Sequence, residues 1–116
     1  NGHEGVVRVL VEGGAAVDQA TTDKGITPLY IASQNGHEGV VRVLVEGGAA
    51  LDKARTDDGS TPLFAASLNG HEGVVRVLVE GGAAVDQATA NDGGTPLYTA
   101  SRKGHEGVVR VLVEAG

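Results

Sequence analysis

The chain has 116 residues and a formal net charge of −6, which opposes non-specific binding to nucleic acid because such binding requires clustered Lys and Arg side chains. It contains no cysteine, so disulfides and thiolate chemistry are excluded. Its apolar runs are interrupted by Arg8 and the equivalent arginines and fall far short of the roughly 20 residues that cross a bilayer, so we expect no membrane insertion.

One repeated stretch organises the rest of the chain. Residues 1–14 recur without change at 35–48 and 69–82, and residues 103–116 repeat them with two differences. Self-similarity at a fixed spacing of 34 residues is typical of proteins in which each unit packs only against its neighbours. Because the chain has two tyrosines, one phenylalanine and no tryptophan, its core must consist of Val, Leu, Ile and Ala.

Residues 1–12 predict a helix, because Glu4, Arg8 and Glu12 fall on one stripe at intervals of four residues and Val and Leu cover the rest of the surface. A strand is the competing interpretation, since the apolar residues are mostly β-branched. The Gly-Gly pair that follows suits a helix end, and a second helix signal precedes each later copy. Both observations favour the helix.

Each later copy is preceded by a turn and a short helix. Residues 20–26 contain the turn formers Asp and Gly, and their length suits a protruding hairpin or loop. Thr27 then offers a hydroxyl that can cap a helix, and Pro28 lacks an N–H that the first turn does not need. The short helix ends at Asn35-Gly36. The same start signal returns at Thr61-Pro62 and Thr95-Pro96.

These motifs resemble the ankyrin repeats, through Thr-Pro-Leu-Tyr-Ile-Ala at 27–32, Asn-Gly-His at 35–37, an apolar helix at 40–45 and Gly-Ala at 48–49. The match covers essentially the whole chain. It implies an all-α repeat solenoid of stacked helix-turn-helix units with projecting hairpin loops. It also implies a single array at 1–116, divided into a second helix and exit loop of a truncated repeat at 1–19, repeats at 20–53 and 54–87, and a repeat without its exit loop at 88–116.

The chain departs from the family pattern in three respects. The family's repeat is about 33 residues long, and the extra residue here falls in the hairpin segment, whose tip should bulge or lengthen. The histidine of the family's Thr-Pro-Leu-His is replaced by Tyr30, Phe64 and Tyr98, so its imidazole hydrogen bond cannot form and aromatic packing should replace it. Gly39 and its equivalents lie in the first turn of the second helix, where glycine costs roughly 0.5–1 kcal/mol relative to alanine.

The two ends of the chain do not resemble terminal repeats. The chain opens on a bare second helix, and neither end carries the polar face that a terminal unit needs. Excision from a longer array and a designed or recently duplicated sequence explain this equally well. We expect the exposed stacking faces to allow end-to-end self-association at high concentration. No signal peptide is recognisable, which favours a cytoplasmic location.

Several motifs suggest catalysis or metal binding, and each has a simpler structural interpretation. The His37-Glu38 pair lacks the second histidine, four residues after the first, that a zinc helix requires. Ser33 and its equivalents have no evident base, and a small residue between packed helices explains them. The glycine clusters lack the Lys of a phosphate loop, and residues 57–59 lack the downstream Glu of a calcium loop. We therefore expect no catalytic residue, no metal and no cofactor, and a protein that is not an enzyme.

Function is expected where the repeated units differ from one another. The second helix barely changes, whereas four columns of the hairpin and first helix vary, and in ankyrin arrays such columns line the concave groove and hairpin tips that bind protein partners. The expected binding residues are Lys24, Ile26, Ile31, Gln34, Asp58, Ser60, Ala65, Leu68, Asp92, Gly94, Tyr98, Thr99, Arg102 and Lys103. The candidate anchors among them are Ile31, Leu68 and Tyr98. The alternatives are neutral drift on an unused surface, and a structural scaffold or spacer without a specific ligand.

Overall fold

The described part of the chain is a stack of helices. A computed structural model describes residue 21, residues 23–89 and residues 93–115. These residues form six helices and no strand: α1 (Pro28–Asn35), α2 (Glu38–Glu46), α3 (Pro62–Leu68), α4 (Glu72–Glu80), α5 (Pro96–Lys103) and α6 (Glu106–Ala115). The predicted all-α repeat architecture is confirmed. We refer to α1, α3 and α5 as the first helices and to α2, α4 and α6 as the second helices.

The first helices begin at the Thr-Pro pairs. In α1, the hydroxyl oxygen of Thr27 accepts a hydrogen bond of 3.1 Å from the backbone N–H of Tyr30, and Pro28 occupies the first helical position. The other two first helices begin in the same way. α1 and α5 end where Gly36 and Gly104 adopt φ values of 76° and 78°, a left-handed conformation that glycine tolerates because it has no Cβ. Both signals predicted from the sequence are confirmed.

The second helices contain the repeated stretch, with one buried and one charged stripe. α2 buries Val40, Val41, Val43 and Leu44. On its charged stripe the guanidinium of Arg42 donates to the carboxylate of Glu38 at 2.9 Å, and the equivalent pair recurs in α4 and α6. Such exposed pairs stabilise a helix by about 0.2–0.5 kcal/mol each. The three described copies are thus helices and not strands. The copy at 1–12 lies outside the described residues.

Neighbouring units pack with like helices together. First helices contact first helices, and second helices contact second helices, along the whole described stack. One core of Leu, Val and Ala side chains runs between the two rows, and Leu63, Val75 and Leu78 have no exposed surface in it. Among the described helices, none combines the length and apolar character required to span a bilayer.

A hairpin loop precedes each described first helix, and the first two of these loops contact each other. The N–H of Arg55 donates to the carbonyl of Ser60 at 2.9 Å and closes one loop. The N–H of Thr56 donates to the carbonyl of Lys24 at 2.8 Å, which joins this loop to the one before it. Equivalent closing bonds are found in the loops 21–26 and 89–94.

The glycine in the first turn of the second helices lies under a side chain of the preceding unit. A Cβ added to Gly73 would meet the carboxylate of Glu38, and one added to Gly107 would meet the carboxylate of Glu72. The glutamate of one second helix therefore lies over the glycine of the next. An alanine at either position would therefore displace the carboxylate of that glutamate.

Candidate protein-binding surface

The C-terminal ends of the first helices lie in a row. Backbone carbonyls in this row accept hydrogen bonds from the next unit, whereas the side chains of the same residues do not. The imidazole Nε2 of His71 lies 3.0 Å from the carbonyl oxygen of Gln34, and Nε2 of His105 lies 3.0 Å from that of Leu68. A carbonyl oxygen can only accept, so each Nε2 carries the proton and donates. The side chains of Gln34 and Leu68 take no part in these bonds and are half-buried, and that of Arg102 at the equivalent position is exposed.

The sequence does not predict these histidine bonds, because the imidazole of the family pattern is expected at the position that Tyr30 occupies. The ring that joins the units belongs to the Asn-Gly-His motif one unit later. The ring of His71 also lies on Gly36, where an added Cβ would approach Nδ1 to 2.7 Å. The signal that could have revealed the contact is the constancy of Asn-Gly-His at 35–37 and 69–71.

The aromatic residue near the start of each first helix faces the following unit. Tyr30 is 5 % exposed, and its hydroxyl lies 2.9 Å from Oγ of Ser60 in the next hairpin. Phe64 is half-buried. Tyr98, in the last first helix, is 60 % exposed. Tyr98 lies at the C-terminal end face of the described stack, where none of the described units covers it.

In the column of Ile31, Ala65 and Thr99, the second and third residues face the preceding first helix. Ile31 is 44 % exposed, whereas Ala65 and Thr99, which each follow another first helix, are 2 % exposed. The sequence predicts Ala65 and Thr99 on the binding groove, but the neighbouring first helix covers both, so neither reaches a partner. Ile31 lies in the first of the described first helices, and Tyr98 lies in the last.

The column at the end of the hairpins also belongs to the interior. Ser60 and Gly94 are buried, and Ile26 is half-buried. The sequence predicts all three at the binding surface. Ser60 instead lies against the preceding first helix, through its bond with Tyr30.

Charge at the second hairpin is paired within the hairpin. The guanidinium of Arg55 donates to both carboxylate oxygens of Asp57, at 2.9 and 2.5 Å. These hydrogen bonds lower the pKa of Asp57 and raise the pKa of Arg55, so both groups stay ionised over a wide pH range. Arg102 and Lys103, by contrast, are exposed at the end of α5 and give that end of the row a positive charge.

A comparison with known families agrees with this architecture. The family described as ankyrin repeats (3 copies) matches residues 1–57 and 48–116, which together cover the chain. The chain belongs to the ankyrin repeat family. Ankyrin repeats are generally protein–protein interaction modules, and the family is typically non-enzymatic. A search of curated proteins finds no match to this chain.

The three candidate anchors of the ankyrin array do not lie together. Leu68 lies in the row with Gln34 and Arg102, whereas Ile31 and Tyr98 are exposed on the first and the last of the described first helices. Of the three, only Leu68 therefore lies in the same row as the charged side chain of Arg102.

The hairpin residues of the ankyrin array differ in exposure and in hydrogen bonding. Lys24 is exposed. Asp58 is half-buried, and its Oδ1 accepts from both the N–H and the hydroxyl of Ser60, at 2.9 and 2.7 Å, so this carboxylate is engaged inside its own loop. Asp92 lies outside the described residues.

The serines between the first helices have no chemical partner. Ser33 and Ser67 are completely buried, and their hydroxyls have no hydrogen-bond partner among the described residues. A nucleophile needs an adjacent base and access to substrate, and these two have neither. Within the described ranges, no three His, Cys, Asp or Glu residues are grouped so that they could hold a metal ion.

Proposed function

We propose that this ankyrin array binds a protein partner through the side chains of Gln34, Leu68 and Arg102, extended by Lys103 and Lys24. We call these five residues the row surface. The observation that supports the proposal is that the backbone of the row joins the units, whereas its side chains do not. The stack is bonded through the backbone carbonyls of Gln34 and Leu68, so the side chains there vary without loss of the contact that joins the units.

The row surface suits recognition by a pre-ordered scaffold. Packed helices lie roughly 8–10 Å apart, so three successive first helices present their ends over about 20 Å. Because the backbone of the row is fixed by the histidine bonds, little ordering cost accompanies association. A few central side chains usually carry most of the binding energy at such a surface.

The chemistry of the row surface defines the partner that fits it. Leu68 offers a half-buried apolar contact in the centre, and Arg102 and Lys103 offer exposed positive charge on one side. A partner with an apolar residue next to one or two carboxylates would match both. We therefore expect a protein surface of mixed character, with its acidic part opposite α5.

Substitutions in the row test this function. Leu68→Gln places in the second unit the residue that the first unit already has at the same position, so the stack should accept it. Leu68→Asp and Arg102→Glu reverse the apolar and charged contacts. All three variants should lose partner capture from a cell lysate by tenfold or more, as expected for central interface residues worth about 1.4 kcal/mol or more. Their melting temperatures should match that of the unchanged chain.

Arg110→Ala is the matched control, because Arg110 is an exposed arginine on a second helix, away from the row. It should leave capture unchanged. If the row variants capture the same proteins as the unchanged chain, the row surface is not the binding site. If no variant and no unchanged chain captures any protein, the array is a scaffold or spacer.

A further inference from the structure

Two side chains of the second unit hold one carbonyl oxygen of the first. The backbone oxygen of Gln34 lies 3.0 Å from Nε2 of His71 and accepts a hydrogen bond of 3.2 Å from Nδ2 of Asn69. The same Nδ2 also donates to the carbonyl oxygen of Ala65, one turn back in the chain, at 3.1 Å. An asparagine amide has two protons, so both are engaged. We call Asn69 and His71 the clamp.

The histidine bond does not require the asparagine. In the third unit the position of Asn69 is held by Lys103, which is exposed. Nε2 of His105 nevertheless lies 3.0 Å from the carbonyl oxygen of Leu68, the same distance as in the clamp. Asn69 is therefore an additional link between the first two units, and a histidine bond forms without it.

Asn69 is followed by a glycine, and this dipeptide is chemically reactive. The backbone nitrogen of Gly70 can attack Cγ of the Asn69 side chain, because glycine has no Cβ that hinders the approach. A C–N bond forms, and the side-chain amide leaves as ammonia with the proton of the Gly70 N–H, so that a five-membered cyclic imide results. Water then opens the imide at either carbonyl. The products are aspartate and its isomer in which the backbone runs through Cγ.

The folded contact holds this dipeptide in a geometry that cannot react. Asn69 has a ψ of 1°, so the nitrogen of Gly70 eclipses the backbone nitrogen of Asn69, whereas ring closure requires it to eclipse Cβ. The N–H of Gly70 also donates to the carbonyl of Ser67 at 3.3 Å. Ring closure therefore requires that the clamp opens and that the last turn of α3 unwinds.

We propose that Asn69 is a site of spontaneous deamidation, whose reaction is controlled by opening of the contact between the first two units and whose product weakens that contact. A carboxylate has no proton to donate, so the carbonyls of Gln34 and Ala65 both lose their bond from residue 69. The isomer with the longer backbone also displaces Gly70, whose φ of 75° turns the chain toward His71. Opening of the contact thus leaves a permanent change in the molecules that react. This inference goes beyond the row surface and does not depend on it.

Control of the reaction by the fold is tested by peptide mapping with mass spectrometry, which measures the conversion of residue 69 over time. The reference is a synthetic peptide of residues 64–75 at the same pH and temperature, because it contains the reactive dipeptide without the neighbouring unit. Conversion in the folded chain should be about tenfold or more slower than in the peptide, since openings of packed elements are rare. Equal rates would overturn the proposal, and so would a peptide that does not convert.

The part played by the unit contact is tested with His71→Ala, which removes the other half of the clamp. Each folded chain is compared with a peptide of its own sequence, and on this scale His71→Ala should convert about threefold or more faster than the unchanged chain. The matched control is Val111→Ala, which removes buried apolar surface from α6 and leaves the clamp intact. If Val111→Ala accelerates conversion as much as His71→Ala, the reaction proceeds through unfolding of the whole array and the proposal is overturned.

Weakening by the product is tested with Asn69→Asp, which is one of the two products, and with Asn69→Ala, which loses the same donors without adding a charge. Each variant should have a folding equilibrium constant about threefold or more below that of the unchanged chain, measured by urea unfolding, because net hydrogen bonding is lost. If either variant is as stable as the unchanged chain, the product does not weaken the contact in the way proposed. None of these readouts involves partner capture, so the deamidation site and the row surface stand or fall separately.

Discussion

Removal of a buried hydroxyl between the first helices should stabilise the protein. Ser67 is completely buried, and its Oγ has no hydrogen-bond partner among the described residues. A buried polar group without a partner carries a desolvation cost of about 1–3 kcal/mol. Ser67→Ala should therefore raise the free energy of unfolding by about 1 kcal/mol, measured by urea denaturation.

Ser101→Ala is the control for this substitution, because Ser101 occupies the equivalent position and is exposed. It should gain only the difference in helix propensity, which is at most about 0.5 kcal/mol. If the Ser67→Ala protein is no more stable than the Ser101→Ala protein, the buried hydroxyl does not destabilise the fold.

At the residue scale, the sequence predicts helix caps more reliably than the solvent exposure of single side chains. A Thr-Pro pair acts within four residues, so Thr27 could be assigned as a cap from its neighbours alone. The exposure of Ser60 or Ala65 depends on the next or the previous unit. The sequence analysis interprets variation between units as freedom from packing, but Ser60 varies although it packs on Tyr30.

At the scale of the element, the second helices contain a glycine whose replacement should stabilise the protein. Gly73→Ala removes a propensity cost of roughly 0.5–1 kcal/mol. The added Cβ displaces only the flexible carboxylate end of Glu38, whose exposed ion pair with Arg42 is worth about 0.2–0.5 kcal/mol. The gain exceeds the loss, so the free energy of unfolding should rise by about 0.5 kcal/mol in urea denaturation.

Gly36→Ala provides the contrast, since this glycine ends α1 at a φ of 76° and lies under the ring of His71. A left-handed alanine costs roughly 1–2 kcal/mol before any displacement of the ring. The same titration should therefore show Gly36→Ala to be clearly destabilised. If both alanine variants shifted the midpoint of urea denaturation in the same direction, the predicted difference between Gly36 and Gly73 would be wrong.

Helix positions were predictable because their signals lie next to each other in the chain. The start of α1 at Pro28 and its end at Gly36 follow from two short motifs. The choice between helix and strand for the repeated Val-rich stretch was less secure, since β-branched residues favour strands. The packing of α2 against α4 resolves it, and that contact joins residues about one repeat apart.

At the scale of the whole molecule, the C-terminal end face should cause weak association. Leu97, Tyr98 and Val113 are exposed there. We expect end-to-end complexes at protein concentrations of about 1 mM, a range that corresponds to an association free energy of about 4 kcal/mol. Sedimentation velocity over a concentration series measures this association.

Val113→Lys should keep the chain monomeric throughout the series, because it replaces an exposed apolar side chain of this face with a charged one. Lys53→Gln, at an exposed loop position, should not change the association. A chain that sediments as a strict monomer at the highest concentration would show that the face has no affinity for a second copy.

The histidine bonds have a consequence for how such an array can change over time. Because His71 binds the carbonyl oxygen of Gln34 and His105 binds that of Leu68, every amino acid except proline can supply the required acceptor at these positions without a helix-breaking ring. Mutations there are decoupled from folding. An array of this kind can acquire a new specificity by single substitutions, one unit at a time, while its architecture is inherited unchanged.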